Sequence, residues 1–296
     1  FMQSLIHLAG AVALLLWGTY MVKTAMLRTF GAALRTQLAR FLTNRLSGFF
    51  CGAGLASLLQ SSTASALLVA GLQSEGIVST AMALSAVLGA DLGSAVMAKV
   101  LTLNLSWSAP LLILTGTLLF LKRSGDRAGQ FGRVLLGLGF ILTALQFIVT
   151  AVAPFKAEAG TLFDAVNHTP TLALFAGIAL SAASFSSLAA VVLTAGCAAN
   201  GMLIGNSPLW ILLGANLGSA LLAVLVSIGG SPTARQAPLG NLIFRTAGVI
   251  LGLIFCFLFS RTAEKLLMTC GLIGCHIAFN ASVGTIGLLF IRPVAQ

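Results

Sequence analysis

Two short polar clusters sit inside apolar sequence at a constant spacing. Gln60-Ser61-Ser62-Thr63-Ala64 is matched 125 residues later by Phe185-Ser186-Ser187-Leu188-Ala189. Gly89-Ala90-Asp91-Leu92-Gly93-Ser94 is matched at the same spacing by Gly214-Ala215-Asn216-Leu217-Gly218-Ser219. Hydroxyls donate to an oxyanion or ligate Na⁺ through oxygen, and an amide can do either. The candidate substrate ligands are therefore Gln60, Ser61, Ser62, Thr63, Ser186 and Ser187. The candidate ion ligands are Asp91, Asn216, Ser94, Ser219 and Gln60, with Na⁺ expected at Ser61, Ser62, Asp91, Ser186 and Asn216. Asp91 is the sharpest of them, because an acid at the centre of an apolar span costs roughly 2.5–3.5 kcal/mol. Such a residue is expected to face a cavity, a cation or a basic partner. It reads as a Na⁺ ligand or proton acceptor, the alternative being a hydrogen-bonded structural acid. The competing reading of the serines is helix-to-helix adhesion, common in membranes. Two equivalent pairs at mirrored positions weigh against it.

These clusters need a membrane scaffold. The 296 residues are 58% hydrophobic and 7% charged, with a mean hydropathy of +1.04. Soluble domains carry about 25% charged residues, so the composition is that of an integral membrane protein. Helix-length apolar runs and the absence of ten-residue alternating segments argue for an α-helical bundle over a β-barrel. The net charge of +10 is gathered in connecting segments, the pattern of membrane orientation and not of nucleic-acid binding. Cys51, Cys197, Cys256, Cys270 and Cys275 lack metal spacing and read as packing residues. No Walker motif or nucleophile elbow is present, so no enzymatic activity is expected.

Spans are expected at residues 5–26, 76–101, 107–121, 133–152, 202–228, 239–259 and 266–291. Residues 28–45 read as a separate amphipathic helix in the membrane interface. Segments 48–73 and 172–198 read as re-entrant hairpins with tips at 60–63 and 185–188. Between them runs a polar stretch, Lys156 to His168, with Glu158 and Asp164. Arg28, Arg35, Arg40, Arg45, Lys122, Arg123, Arg127, Arg133, Arg235 and Arg292 fall on one side, expected to be cytoplasmic. Lys156, Arg261 and Lys265 fall on the other. An odd number of spans separates the hairpins, so they enter from opposite faces. The expected fold is all-α, with two inverted-topology repeats (about 5–121 and 133–259) and a final span at 266–291. Roughly 18 of 50 aligned pairs between the repeats are identical without a gap. Polar residues at corresponding points of two membrane halves point to a transporter site.

At the residue level, Gln60-Ser61-Ser62-Thr63-Ala64 resembles the QSSS/QSSTA motif of the type II sodium/phosphate cotransporter family. Gly214-Ala215-Asn216-Leu217-Gly218-Ser219 resembles that family's GANIGT-like motif. His276-Ile277-Ala278-Phe279-Asn280, with Pro293 after it, resembles its H-x-x-F-N…P segment. Asn241-Leu242-Ile243-Phe244-Arg245 looks like a variant of the same element. The resemblance implies inverted repeats with re-entrant hairpins and inorganic phosphate carried with Na⁺ across a bacterial inner membrane, C-terminus cytoplasmic. It also implies the lipid bilayer, a PhoU-like cytoplasmic domain or protein, and a homodimer as partners; no such domain is expected within 1–296. The sequence departs from the pattern at Phe185, Leu188 and Asp91. Those departures leave H⁺ coupling, another small oxyanion or carboxylate, phosphate export, and a non-transporting regulatory subunit as alternatives. No Lys or Arg is expected near either tip, so backbone N–H groups, hydroxyls and co-bound cations are expected to carry the substrate charge. Glu75 reads as a solvated acid, Lys99 as snorkelling, and His276 with Asn280 as an interhelical hydrogen-bonding pair.

Overall fold

A computed structural model describes residues 2–103, 107–122, 126–154 and 159–295. Arg123, Lys156, Glu158 and the side chains of Arg292 and Pro293 lie outside the described residues. Every regular element described is helical. In chain order they are α1 (Met2–Phe41), α2 (Arg45–Leu59), α3 (Ser62–Ser74), α4 (Thr80–Leu101), α5 (Ser108–Lys122) and α6 (Arg127–Val152). There follow α7 (Gly160–His168), α8 (Pro170–Ala183), α9 (Ser187–Ala199), α10 (Ser207–Ser227), α11 (Pro232–Leu258) and α12 (Ser260–Ala295). Six of them (α1, α4, α6, α10, α11 and α12) are long and apolar enough to cross a membrane. The expected span at 107–121 is α5, whose 15 residues rise only about 22 Å, short of a hydrocarbon core of about 30 Å.

The first span and the amphipathic segment after it are one continuous helix of 40 residues, not two. No proline interrupts 28–41, and the stop comes only where Asn44 caps α2 with a reciprocal Asn44–Ser47 box. Leu38 and Leu42 on the amphipathic face are buried in a cluster with α2, α3 and α4, so that face packs on protein. The polar stretch before the second hairpin contains a helix, α7, not expected from the sequence.

Glycines bring α2 onto α4 and α8 onto α10. A Cβ at Gly89 would lie 1.8 Å from the Phe49 carbonyl oxygen, and one at Gly214 would lie 2.0 Å from that of Leu174. Gly52 and Gly93 in one pair, and Gly177 and Gly218 in the other, sit in the same relation to the facing backbone. The Gly89/Gly93 and Gly214/Gly218 pairs are thus small-xxx-small contacts, the usual way membrane helices approach closely. The motif that carries Asp91 and Asn216 is a packing device as well as a polar one.

The two ends of α11 tie down opposite parts of the chain. Near its start, Gln236 accepts hydrogen bonds from Gln73 of α3 (2.9 Å) and Thr80 of α4 (2.8 Å). At its other end, the Cys256 and Ser260 carbonyls accept from Asn206, between α9 and α10. Along α11, Gln236 and Cys256 are about 30 Å apart. Glu75, at the end of α3, pairs with Arg35 of α1 at the surface, where both side chains stay about half exposed.

Candidate substrate site between two helix breaks

Both polar clusters break a helix in the same way. Gln60 closes α2 in the left-handed region (φ 55°), and Phe185 adopts the same conformation after α8 (φ 49°). Left-handed backbone costs roughly 1–2 kcal/mol for residues with a Cβ, and neither position uses the glycine that would remove that cost. Ser61 (φ −159°, ψ 114°) then caps α3 by accepting from the Ala64 N–H, and Ser186 (φ −155°, ψ 117°) caps α9 by accepting from the Ala189 N–H. Each cap takes up one donor of its first helical turn. That leaves the N–H groups of Ser62 and Thr63, and of Ser187 and Leu188, as the unpaired positive ends of two helices.

The breaks meet in space. Gln60, Ser61, Ser62, Thr63 and Ser94 from one copy, and Ser184 to Leu188 from the other, line one cavity of about 280 Å³. That volume lies just below the roughly 300–1,000 Å³ of drug-sized pockets and suits a small ion. Larger cavities of about 670 and 600 Å³ are lined mainly by apolar side chains and carry no comparable set of donors. All six candidate substrate residues line the tip cavity, as does Ser94.

Gln60 is oriented by its own helix. Its amide nitrogen donates to the Ser57 carbonyl at 3.0 Å, and this turns Oε1 the other way. Oε1 is buried and has no protein donor among the described residues. An acceptor held so, beside serine and threonine oxygens, fits a hard cation such as Na⁺ or a protonated substrate oxygen. Phe185, in the matching place, is 68% exposed and brings a ring instead of an amide.

The remaining candidate ion ligands lie in a different cluster. Arg245 of α11, 1% exposed, grips both carboxylate oxygens of Asp91: its Nε reaches Oδ2 at 2.8 Å and its Nη2 reaches Oδ1 at 2.8 Å. Asn241, one turn earlier, donates to Oδ2 at 2.8 Å. The other guanidinium donor, Nη1, reaches the Asn216 carbonyl (2.6 Å), Asn216 Oδ1 (3.0 Å) and Ser219 Oγ (3.0 Å). Asn280 accepts from Arg245 Nη2 (2.9 Å) and donates to Asn216 Oδ1 (3.2 Å), while Asn216 meets the His276 ring at 3.1 Å. Asp91 therefore faces a basic partner, and a Na⁺ ion on its carboxylate would have to displace a bidentate guanidinium. Asn216 Oδ1 is likewise occupied. Asp91, Asn216 and Ser219 do not line the tip cavity.

The two N/H-x-x-F-R/N elements now have matching tasks. Asn241 and Arg245 on α11 address Asp91 of α4, and His276 and Asn280 on α12 address Asn216 of α10. The i, i+4 spacing that puts each pair on one helix face was legible in the sequence; which residue each pair served was not.

The α1 residues and Ser184 that line the cavity were not foreseen, and one of them is charged. Lys23 lines the cavity from α1, on the face that also presents Leu16, Thr19 and Tyr20. The expectation that no Lys or Arg lies near the tips is corrected here, because a residue 37 positions from Gln60 gives no local sign of where it packs.

Fold and site together describe a multi-pass helical membrane protein with a polar cavity built between two broken helices, a design used by membrane transporters. The chain belongs to the Na⁺/Pi-cotransporter family, whose model matches residues 14–150 and 153–281. It is 42% identical over 299 residues to the "Putative inorganic phosphate export protein YjbB" of Escherichia coli strain K12, covering all of this chain and 55% of that protein. It is 43% identical over 267 residues to the protein of the same name in Salmonella typhimurium (90% of this chain, 49% of that one). It is 25% identical over 271 residues to the "Uncharacterized protein YqeW" of Bacillus subtilis, covering 90% and 87% of the two chains. The chain spans about half the length of the first two relatives. No solved structure matches it.

Proposed function

We propose that this chain is the membrane unit of a secondary transporter that moves inorganic phosphate coupled to Na⁺, with substrate held between the two tips. The convergence of two serine-capped helix N-termini in one small cavity carries this reading. Unpaired N–H groups and helix dipoles suit an oxyanion. The fixed Gln60 carbonyl and the neighbouring hydroxyls suit Na⁺ as co-substrate, in keeping with the family. The Asp91–Arg245 cluster is read as the frame that holds α4, α10, α11 and α12 in register, and not as the ion site.

The same reading includes two inverted repeats with re-entrant hairpins. The base of the first hairpin is tied to the start of α11 and that of the second to its end, which supports insertion of the two hairpins from opposite sides. It also includes an inner-membrane location with the arginine-rich side cytoplasmic, a PhoU-like cytoplasmic domain or protein, and a homodimer. The half of the relatives' length beyond the match leaves room for such a domain.

Export of phosphate is the second reading, favoured by the names of the Escherichia coli and Salmonella relatives. Radiolabelled phosphate flux in proteoliposomes with imposed Na⁺ or pH gradients separates the readings. Na⁺-driven flux is expected; flux indifferent to both gradients removes coupled transport, and absence of phosphate flux removes the substrate assignment. Ser62→Ala and Ser187→Ala are each expected to weaken phosphate binding by about 1–3 kcal/mol, the cost of an unpaired buried partner. Wild-type affinity in both variants would count against the tip cavity.

A further inference from the structure

We infer that Lys23 is an oxyanion-binding residue whose ammonium supplies the one full positive charge in the tip cavity. The inference rests on reading that cavity as the phosphate site. Lys23 is the single Lys or Arg among the cavity's lining residues. It sits within the apolar stretch Met2–Gly31, where a charge is costly unless a partner or a polar cavity receives it. It has neither an ion pair nor a hydrogen bond among the described residues. Arg245, the fully buried cation of the core, is already held by Asp91. The partner that fits an unpaired ammonium beside serine hydroxyls and two helix N-termini is an anion.

The position is one-sided in an informative way. The residue 125 places further on is Ile148, fully buried in an apolar cluster, so only the first copy carries the charge. The first copy also keeps the amide at Gln60 where the second has Phe185. Charge and amide thus come from one half of the molecule, and hydroxyls and helix ends from both. A charged donor makes shorter, stronger hydrogen bonds to phosphate oxygens than the neutral groups around it.

The test is titration of the full-length protein in detergent with inorganic phosphate, read by ligand-induced thermal stabilisation and by tracer binding. Lys23→Gln is expected to weaken phosphate binding about 10- to 150-fold, the range for a lost charged hydrogen bond, with little change in melting temperature without phosphate. Lys23→Arg is expected to recover most of that loss, which a merely space-filling role would not require. Should Lys23→Gln fail to fold, Lys23→Met keeps the stem without the charge and takes its place. Wild-type affinity in the Lys23 variants, with Ser62→Ala still weakened, overturns the role of Lys23 and leaves the cavity assignment standing. Wild-type affinity in both overturns the cavity assignment and this inference with it. An equal loss in Lys23→Arg and Lys23→Gln also overturns it.

Discussion

Arg245→Met is expected to destabilise the protein by about 3–5 kcal/mol, the usual result of removing one member of a buried ion pair. The substitution leaves the Asp91 carboxylate buried with Asn241 as its remaining side-chain donor, and removes donors from Asn216, Ser219 and Asn280. Four helices lose a shared anchor at once. Thermal unfolding in detergent reads the effect directly. Pairing the substitution with Asp91→Asn is expected to recover a large part of the loss, since the unpaired charge is then gone and Asn216 already occupies the matching place in α10. Asp91→Asn by itself decides between frame and ion site. A lowered melting temperature with unchanged Na⁺ and pH dependence of flux is expected. An unchanged melting temperature with altered Na⁺ or pH dependence would return Asp91 to the coupling site.

Gly89→Val and Gly214→Val are the second pair of large effects, each expected to cost about 3 kcal/mol or more, at the upper end of overpacking. The added Cβ would sit 1.8 Å from the Phe49 carbonyl oxygen in one case and 2.0 Å from that of Leu174 in the other, so backbone must move. Carbonyl oxygens on a facing helix cannot swing aside as a side-chain end can. Gly71→Ala supplies the contrast: a Cβ there meets nothing within 4 Å, and the change is expected to be neutral or mildly stabilising. Loss of folded yield in the valine variants with a stable Gly71→Ala protein is the expected pattern. Well-folded Gly89→Val protein would show that α2 and α4 are not held as described.

Part of this molecule is written locally. Apolar runs of helix length place the spans, because a backbone in hydrocarbon has to satisfy its own hydrogen bonds. Ser61 and Ser186 announce helix starts, since a serine oxygen can take an orphan N–H of the first turn. The repeat spacing pairs the two breaks, and the Gly-xxx-Gly spacing is visible in the sequence, although its use as a helix contact emerged only from the packing. Six of the expected spans are present as helices long and apolar enough to cross a membrane, the first of them extended well past its expected end.

The rest was decided by packing between residues far apart in the chain. Asp91 and Arg245 lie 154 positions apart, and Asn216 and His276 lie 60 apart, so no window along the sequence contains either pair. An acid in an apolar span signals that it needs a partner; only the crossing of α4 with α11 shows that a guanidinium meets it. Likewise, α1 carries Lys23 on a face whose neighbour the sequence does not name. Tertiary structure turned that face to the meeting point of two helix ends, and so set a cation where the local pattern showed none.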